Sequence, residues 1–584
     1  METSLDIPAG ITAKAQHWLD SESVDENTKG IIREQMSNDH SSLIESFHGD
    51  LEFGTGGLRG IMGVGTMRMN KYTVGVATQG LANYILHQFP EKTSRVAIAY
   101  DSRNNSRFFA DTSAQVLSAN GIEVFMFDEL RPTPLLSFAV RELKAQAGIV
   151  ITASHNPKEY NGYKVYWEDG AQVLPPHDKG IIAEVRKVER IADVKFDGSM
   201  DMIHSVPSIV EEKYLDNLKK AVFAHGEISN ASSLRIVYTS IHGAGITMVP
   251  KALSALGFRN IDVVEAQAIP DGNFSTVQSP NPEEKEALDM ALDLAEKNGA
   301  DMVLGTDPDT DRVGIAIRND KGQLMLLNGN QSACLLVYYE LMQWKRNKLL
   351  TGAEYIAKTI VTTDLLEQIA ADAGVRWYDT LTGFKYIAGV IREKEGRERF
   401  IAGGEESYGY SVGEFVRDKD AVLSSVVLCE IAAWCNANGR TMWSLLMEIY
   451  SRFGLYHETL LSLTIKGLDG QKKIGEMMVN LRNNPPANLG GSDVVEIRDV
   501  QSDLIRNLKT GESSKLGLPS SNVLQFILAD GSKISARPSG TEPKIKFYFS
   551  MKEPLPDVNE YAQKVQRIEE RITRIQDELG LRQK

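Results

Sequence analysis

Cysteine is scarce: Cys334, Cys429 and Cys435 are the only three in 584 residues, and no pair has C-x-x-C spacing. So sparse and odd a set argues against a disulfide framework or a thiolate zinc site, and fits a reducing compartment. Long hydrophobic runs are missing too. No apolar stretch approaches the roughly 18–20 residues that cross a bilayer; LLVYYELMQW is typical of the longest. The opening residues METSLDIPAG carry no apolar signal core. Nor is there a block of basic residues: Lys+Arg number 64 against 78 Asp+Glu, a formal net charge of −14. That balance argues against nonspecific nucleic-acid binding. An anionic substrate would have to be held by local Arg and Lys against a repulsive overall field. These absences lead to the expectation of a soluble, cytoplasmic protein without membrane or nucleic-acid partners.

What is present is ordinary globular composition, 42% hydrophobic and 24% charged, at a length that predicts about three to five domains. RVAIAYD, IEVFMFD and AGIVITAS read as buried strands, with a helix at DTSAQVLSANG between two of them. RIVYTSIHG, MVPKALSALG, IDVVEA, PEEKEALDMALDLAEKNG and ADMVLGTDPD repeat the theme. Such alternation predicts βαβ units on a mainly parallel sheet, with chemistry on loops past the strand ends. After about residue 455 the texture changes. HETLLSLTIKG, DVVEIRDV, NVLQFILAD and KIKFYFS look antiparallel. The last helix puts Tyr561, Val565, Ile568, Ile572, Ile575 and Leu579 on one stripe, expected to pack on the terminal sheet. The division expected is 1–205, 206–323 and 324–455, all α/β, then 456–584 as α+β.

Four loops carry the polar chemistry. GTDPDTDR alternates Asp307, Asp309 and Asp311 directly after an apolar run, and Pro308 disfavours a helix there. Carboxylates this close repel unless a cation neutralises them, and all-oxygen ligation suits a hard ion such as Mg²⁺. An EF-hand would need Gly and Glu where Arg312 and Arg318 stand. In TASHNP, Ser154 sits beside His155. The surroundings are not the G-x-S-x-G of a serine hydrolase, which leaves a turn residue or a phosphoryl carrier supported by His155 and Lys164. RPSGTEPKIK offers Arg537, Ser539, Gly540 and Thr541 either as a phosphate cradle or as an ordinary turn. GGEESYGY sets Glu405 and Ser407 in a glycine-led loop, with Lys419 following. TLTGFKY, with Thr382 and Gly383, is a similar small-residue turn, and FGTGGLRG brings Arg59 after a glycine-rich loop that is not a P-loop.

Taken in order, TASHNP, DPDTDR, GEES and RPSGTEPK resemble the α-D-phosphohexomutase family, one motif per domain, and FGTGGLRG resembles its N-terminal arginine loop. NPKEYNGYKVYW and TLTGFKY look most like the phosphoglucomutase-2/phosphopentomutase branch. One departure is TGG at Thr55 to Gly57, where many relatives carry a serine. The resemblance implies three related mixed α/β domains and a smaller α+β C-terminal domain around a central cleft. It implies a phosphoserine at Ser154 and one Mg²⁺ held by Ser154, Asp307, Asp309 and Asp311. Arg59, Arg312 and His155 would steady the moving phosphoryl group. Lys164, its pKa lowered among other cations, is the favoured proton-transfer group, with His155 the alternative. Thr382, Gly383, Glu405, Ser407, Lys419, Arg537, Ser539, Gly540 and Thr541 would hold the sugar phosphate. A sugar 1,6-bisphosphate would prime the enzyme, a monomer or homodimer. The expected reaction is glucose 1-phosphate to glucose 6-phosphate; mannose or pentose phosphates, a phosphatase and a silent sensor are the alternatives.

Overall fold

The computed structural model describes residues 7–54, 56–231, 233–465, 469–539 and 543–582. Backbone contacts divide the chain into two compact units. The first comprises Met1–Asn328, Ala388–Ala402 and Ser407–Gly439, the second Gly329–Ile387, Gly403–Glu406 and Arg440–Lys584.

The first unit begins with helices Ala9–Asp20, Glu26–Asn38 and His40–Phe47, which bury Trp18, Ile32, Leu43 and Phe47 in one cluster with Tyr72. Two sheets follow. Strands β1 (Gly57–Ile61), β2 (Arg95–Tyr100), β3 (Glu123–Met126), β4 (Ala147–Ile151), β5 (Tyr160–Trp167) and β6 (Ile203–Ser205) form the first, in the order β1-β5-β4-β2-β3-β6. Strands β7 (Arg235–Thr239), β8 (Asn260–Val263), β9 (Met302–Thr306), β10 (Val313–Arg318) and β11 (Leu324–Leu327) form the second, in the order β11-β10-β9-β7-β8.

The two sheets repeat one plan. β4-β2-β3 and β9-β7-β8 are parallel, whereas β5 and β10 pair antiparallel with β4 and β9. The sheets are thus mixed rather than mainly parallel. The reason is connection length: residues 152–159 and 307–312 are too few for a crossover helix, so each strand must turn back beside its predecessor. Those two connections are the TASHNP and DPDTDR loops. Also in this unit, Gly413 N–H donates to Ile401 O at 2.8 Å, joining the end of β15 (Tyr410–Val412) to β14 (Arg399–Gly404), a strand whose last two residues pass to the second unit.

In the second unit, β12 (Glu354–Thr359) and β13 (Arg376–Thr380) pair in parallel. The C-terminal sheet holds β16 (Leu455–Thr464), β17 (Asn488–Leu489), β18 (Ser492–Asp499), β19 (Leu504–Asn507), β20 (Ser513–Ser514), β21 (Leu524–Leu528), β22 (Lys533–Pro538) and β23 (Lys544–Glu553). Its pairings are antiparallel, β16 running the length of β23 and β22 lying on β23's other edge. Helix Tyr561–Glu578 contacts β16 and β23 and buries Ile568, Ile572 and Ile575, as its stripe predicts. Ile360, Val361 and Leu381 cluster with Val500, Val523 and Tyr548 of the C-terminal segment. Beside them Lys533 reaches Asp364 at 2.5 Å, and the buried Lys358 meets Asp364, Glu367 and Asp379 at 2.9–3.0 Å. Among the described residues no single helix is long and apolar enough to cross a membrane.

Candidate active site

β4 is fully buried and delivers Thr152, Ala153 and Ser154 to the sheet's C-terminal edge. Ser154 adopts φ +53°, a left-handed conformation that a non-glycine residue keeps only when its surroundings enforce it. The enforcement is visible. Ser154 N–H donates to Thr152 Oγ1 at 2.8 Å, and Thr152 Oγ1 donates to buried Asp101 at 2.6 Å. Arg103, also buried, gives Nη2 to Ser154 O (2.5 Å) and Asn156 O, and Nη1 to Pro157 O (2.8 Å) and Tyr160 O (3.1 Å). One guanidinium therefore gathers four carbonyls of the loop. Its own charge is met by Asp101 at 3.4 Å and by the Phe274 ring, 5.0 Å away.

The side chain of Ser154 is poised on the second sheet's loop: its Oγ donates to Asp307 Oδ2 at 2.9 Å and lies 3.2 Å from His155 Nδ1. Adjacent residues often diverge, but here serine and histidine meet. Asp307 Oδ1 accepts the backbone N–H groups of Asp311 and Arg312 at 3.1 Å each, closing the turn on itself. Thr310 takes φ +59° to allow it. Asp309 is tied to the start of helix Thr133–Glu142 by Thr133, whose hydroxyl reaches Asp309 Oδ2 at 3.0 Å and whose N–H reaches Asp309 O at 2.9 Å.

Asp307, Asp309 and Asp311 are all buried, each offering an oxygen within 4.8 Å of the others. Lys164 Nζ contacts Asp309 Oδ2 at 2.7 Å and Asp311 Oδ2 at 3.3 Å, and Lys419 Nζ contacts Asp311 Oδ2 at 3.1 Å. The Oδ1 atoms of Asp309 and Asp311 are buried without a hydrogen-bond partner. Buried carboxylate oxygens left unbonded are costly. Converging hard oxygens of this kind fit a metal ion. The charge distribution agrees. Burial and the two neighbouring carboxylates push Asp307 well above the usual carboxylate range. Burial would also raise Asp311, but Lys419, Lys164 and Arg312 pull it far below.

Lys164 departs from the lowered pKa expected of it. Burial works in that direction, but Asp309 and Asp311 outweigh it and raise the amine above its ordinary value. One cation, Lys419, does stand nearby, but the two carboxylates outweigh it. His155 goes the other way: burial first, then Arg312 and Arg59, hold the imidazole well below its usual value and neutral. Arg312 Nη1 donates to Glu283, and its Nε lies 3.7 Å from Asp311 Oδ1. Arg59 is exposed and reaches Asn156 Oδ1 at 3.4 Å. It is placed by β1, whose Gly57 stands opposite Lys164 at φ +137°, where a Cβ would lie 1.7 Å from Tyr163 O. Thr55 lies outside the described residues.

Ser407 is half-buried, and the next residue, Tyr408, accepts from Val313 N–H at 3.0 Å, fastening this stretch to the end of the aspartate loop. Gly409 leaves room for Lys419, because a Cβ there would sit 2.0 Å from Lys419 Cδ. In the second unit, buried Glu405 accepts from Gly383 N–H at 2.8 Å, and the Thr382 hydroxyl is buried without a hydrogen bond. Glu406 is held by the Thr359 and Thr362 hydroxyls, each at 3.2 Å. Arg537 stands opposite Lys546 in β22–β23, and Ser539 N–H donates to Lys544 O at 2.7 Å. Gly540 and Thr541 lie outside the described residues.

Several supporting residues belong to none of the motifs: Asp101 and Arg103 under the serine loop, Thr133 on Asp309, Glu283 on Arg312. Tyr166, within NPKEYNGYKVYW but given no role there, also supports the site, its buried hydroxyl donating to Asp418 at 2.6 Å beside Lys419. The DSR of YDSRNNS, at the end of a predicted strand, was the one local signal available.

Three family models match the chain: phosphoglucomutase/phosphomannomutase alpha/beta/alpha domain I over residues 50–192, domain II over 212–322 and domain III over 328–453. Phosphoglucomutases of Staphylococcus aureus, strains MRSA252 and NCTC 8325, are each 40% identical over 529 residues, covering 89% of this chain and 93% of the relative. Two solved structures share the fold. A phosphoglucomutase/phosphomannomutase family protein from Burkholderia thailandensis has TM-score 0.65 at 19% identity, covering 90% of this chain and 97% of that one. The open form of parafusin, a phosphoglucomutase from Paramecium, has TM-score 0.64 at 18% identity, covering 90% and 95%.

Proposed function

The chain belongs to the α-D-phosphohexomutase family, and on that premise we propose that it is a cytoplasmic phosphoglucomutase, an isomerase converting α-D-glucose 1-phosphate reversibly to glucose 6-phosphate. The observation that carries the reading is the 2.9 Å bond from Ser154 Oγ to Asp307 within the aspartate triplet. A serine destined to carry a phosphoryl group needs cations around it more than a hydrolytic triad.

In the proposed cycle, phospho-Ser154 transfers its phosphoryl group to the free hydroxyl of a glucose monophosphate. The bond from phosphorus to Ser154 Oγ breaks and one to the sugar oxygen forms. The resulting 1,6-bisphosphate turns over and returns its other phosphate to Ser154. Mg²⁺, one per chain, would be held by Asp307, Asp309, Asp311 and the serine oxygen; when bound it supplies charge withdrawal at the transferring group. Arg59 and Arg312 stabilise the same group. His155, neutral against Ser154, is the group that can accept the sugar's proton; Lys164, already charged against Asp309, can only give one back, to the oxygen of a departing sugar or serine.

Thr382, Gly383, Glu405, Ser407 and Lys419 are assigned to the sugar, and Arg537, Ser539, Gly540 and Thr541 to the phosphate that is not transferred. Glu405 supports the assignment, with one oxygen spent on Gly383 N–H and its carboxylate otherwise suited to hydroxyls. A sugar 1,6-bisphosphate primes the cycle. The four-domain division at residues 205, 323 and 455 is part of the same proposal.

The test compares kcat/KM for glucose 1-phosphate with mannose 1-phosphate and ribose 1-phosphate, with Mg²⁺ and bisphosphate present. A preference for glucose above about tenfold, or about 1.4 kcal/mol of transition-state discrimination, is the expected result. A ratio below one makes the enzyme a phosphomannomutase or phosphopentomutase, and stoichiometric release of inorganic phosphate makes it a phosphatase.

A further inference from the structure

Arg312 stands between two carboxylates. Its Nη1 donates to Glu283 Oε1, while its Nε is 3.7 Å from Asp311 Oδ1, close enough for attraction but too far for a hydrogen bond. Asp311 divides its own oxygens unequally: Oδ2 meets Lys164 and Lys419, and Oδ1 has no hydrogen-bond partner. Glu283 lies 29 residues before Arg312, on a turn that is itself built. Its N–H donates to Asn281 Oδ1 at 3.2 Å, and Glu284 takes hydrogen bonds from Ser279 and Asn281, each at 3.2 Å. The carboxylate is thus delivered to Arg312 by a braced loop rather than by chance surface proximity.

We propose that Glu283 is a positioning residue that holds the Arg312 guanidinium off Asp311 Oδ1 and so keeps that oxygen available to a divalent cation. The inference rests on the metal reading given above. Asp311 Oδ1, already 3.7 Å from Arg312 Nε, is a carboxylate on which the guanidinium can close once Glu283 is removed. Closing 3.7 Å to the roughly 2.7–2.9 Å of a charge-assisted bond would set an N–H on the oxygen the cation needs. Glu283 acts through Arg312, and not as a ligand or by its charge alone.

The experiment is a double-mutant cycle on Mn²⁺ binding, read from the loss of the free-ion electron paramagnetic resonance signal as full-length enzyme is added. Mn²⁺ is the probe, so turnover is not the readout. The parent is expected to bind one Mn²⁺. Glu283→Gln is expected to weaken that binding about tenfold, whereas in an Arg312→Gln background the same change should alter it by less than about twofold. Glu284→Gln removes an equal charge at the adjacent position and should leave the affinity within about twofold. Equal weakening in both backgrounds, or none in either, overturns the proposal. A parent that binds no Mn²⁺ overturns the metal reading and the proposal with it. Circular dichroism checks folding, and Glu283→Ser carries the same cycle where the glutamine variant fails that check.

Discussion

Ser154 and Asp307 are 153 positions apart, yet the serine hydroxyl donates to the aspartate across 2.9 Å because each ends a strand at the C-terminal edge of its own sheet. Asp307→Asn tests what that juncture does. Burial and two like charges already disfavour the ionised form, so the neutral amide should leave the thermal midpoint unchanged or raise it. Turnover of glucose 1-phosphate should fall by about 10²–10³-fold, since a charge-stabilising group is lost at the reacting centre. Calorimetry and a coupled dehydrogenase assay on one preparation separate the two effects.

Arg103 is predicted to dominate the stability of the serine loop. Arg103→Met would leave Asp101 buried without a counter-ion and release four carbonyls, a loss of about 3–5 kcal/mol. Adding Asp101→Asn should recover part of it, because the uncompensated charge goes. Denaturant midpoints of the two variants measure the recovery.

Gly409→Ala should displace Lys419 from Asp311, because the new Cβ would lie 2.0 Å from the lysine Cδ. Misplacing a charged contact by this much predicts a loss of about tenfold or more in kcat/KM. Comparison with Lys419→Met tells whether both act through the same group: the double variant should be no worse than the lysine change alone.

Asp420, which follows Lys419 in the chain and precedes Ala421, whose N–H donates to Thr310 O at 3.2 Å, sets a pH dependence of its own. It caps helix Ala421–Ala437 through Leu423 N–H and accepts from Tyr214, yet burial pushes its pKa from 3.8 up to about 6. The folded state therefore binds this proton more tightly than the unfolded chain. Its contribution favours folding most below about pH 4, declines as pH rises towards 6, and is constant above, a change of about 3 kcal/mol at most. Asp420→Asn retains a capping oxygen and should flatten that decline. The difference between the two proteins in denaturant midpoint from pH 4 to pH 7 is the measurement.

The strands around RVAIAYD and ADMVLGTDPD, the terminal helix stripe and the clustering of the three aspartates were legible because each depends on local pattern: apolar runs, helical spacing, like charges that need a partner. The antiparallel edges were less so, since they follow from connection lengths between strands whose ends shift by a residue or two. The support under the site was barely legible, its one local sign being the Asp101 and Arg103 pair at the end of a strand. Nothing near Arg103 in the chain announces that four carbonyls wait for it, and Glu283 and Arg312 meet only when β9 and its loop are in place. Lys164 shows the same limit: its residue type suggested a lowered pKa for proton transfer, but its charge state is set by Asp309 and Asp311, more than 140 positions away, which raise it.

The central claim is that Ser154 carries a phosphoryl group between glucose phosphates. Enzyme labelled with ³²P from glucose 1,6-bisphosphate, freed of excess label and mixed with unlabelled glucose 1-phosphate, tests it in one turnover. The account predicts label confined to Ser154 before mixing, absent from Ser154→Ala, and passing into glucose bisphosphate and then glucose 6-phosphate at least as fast as kcat. Label on another residue, or leaving as inorganic phosphate at that rate, would contradict it.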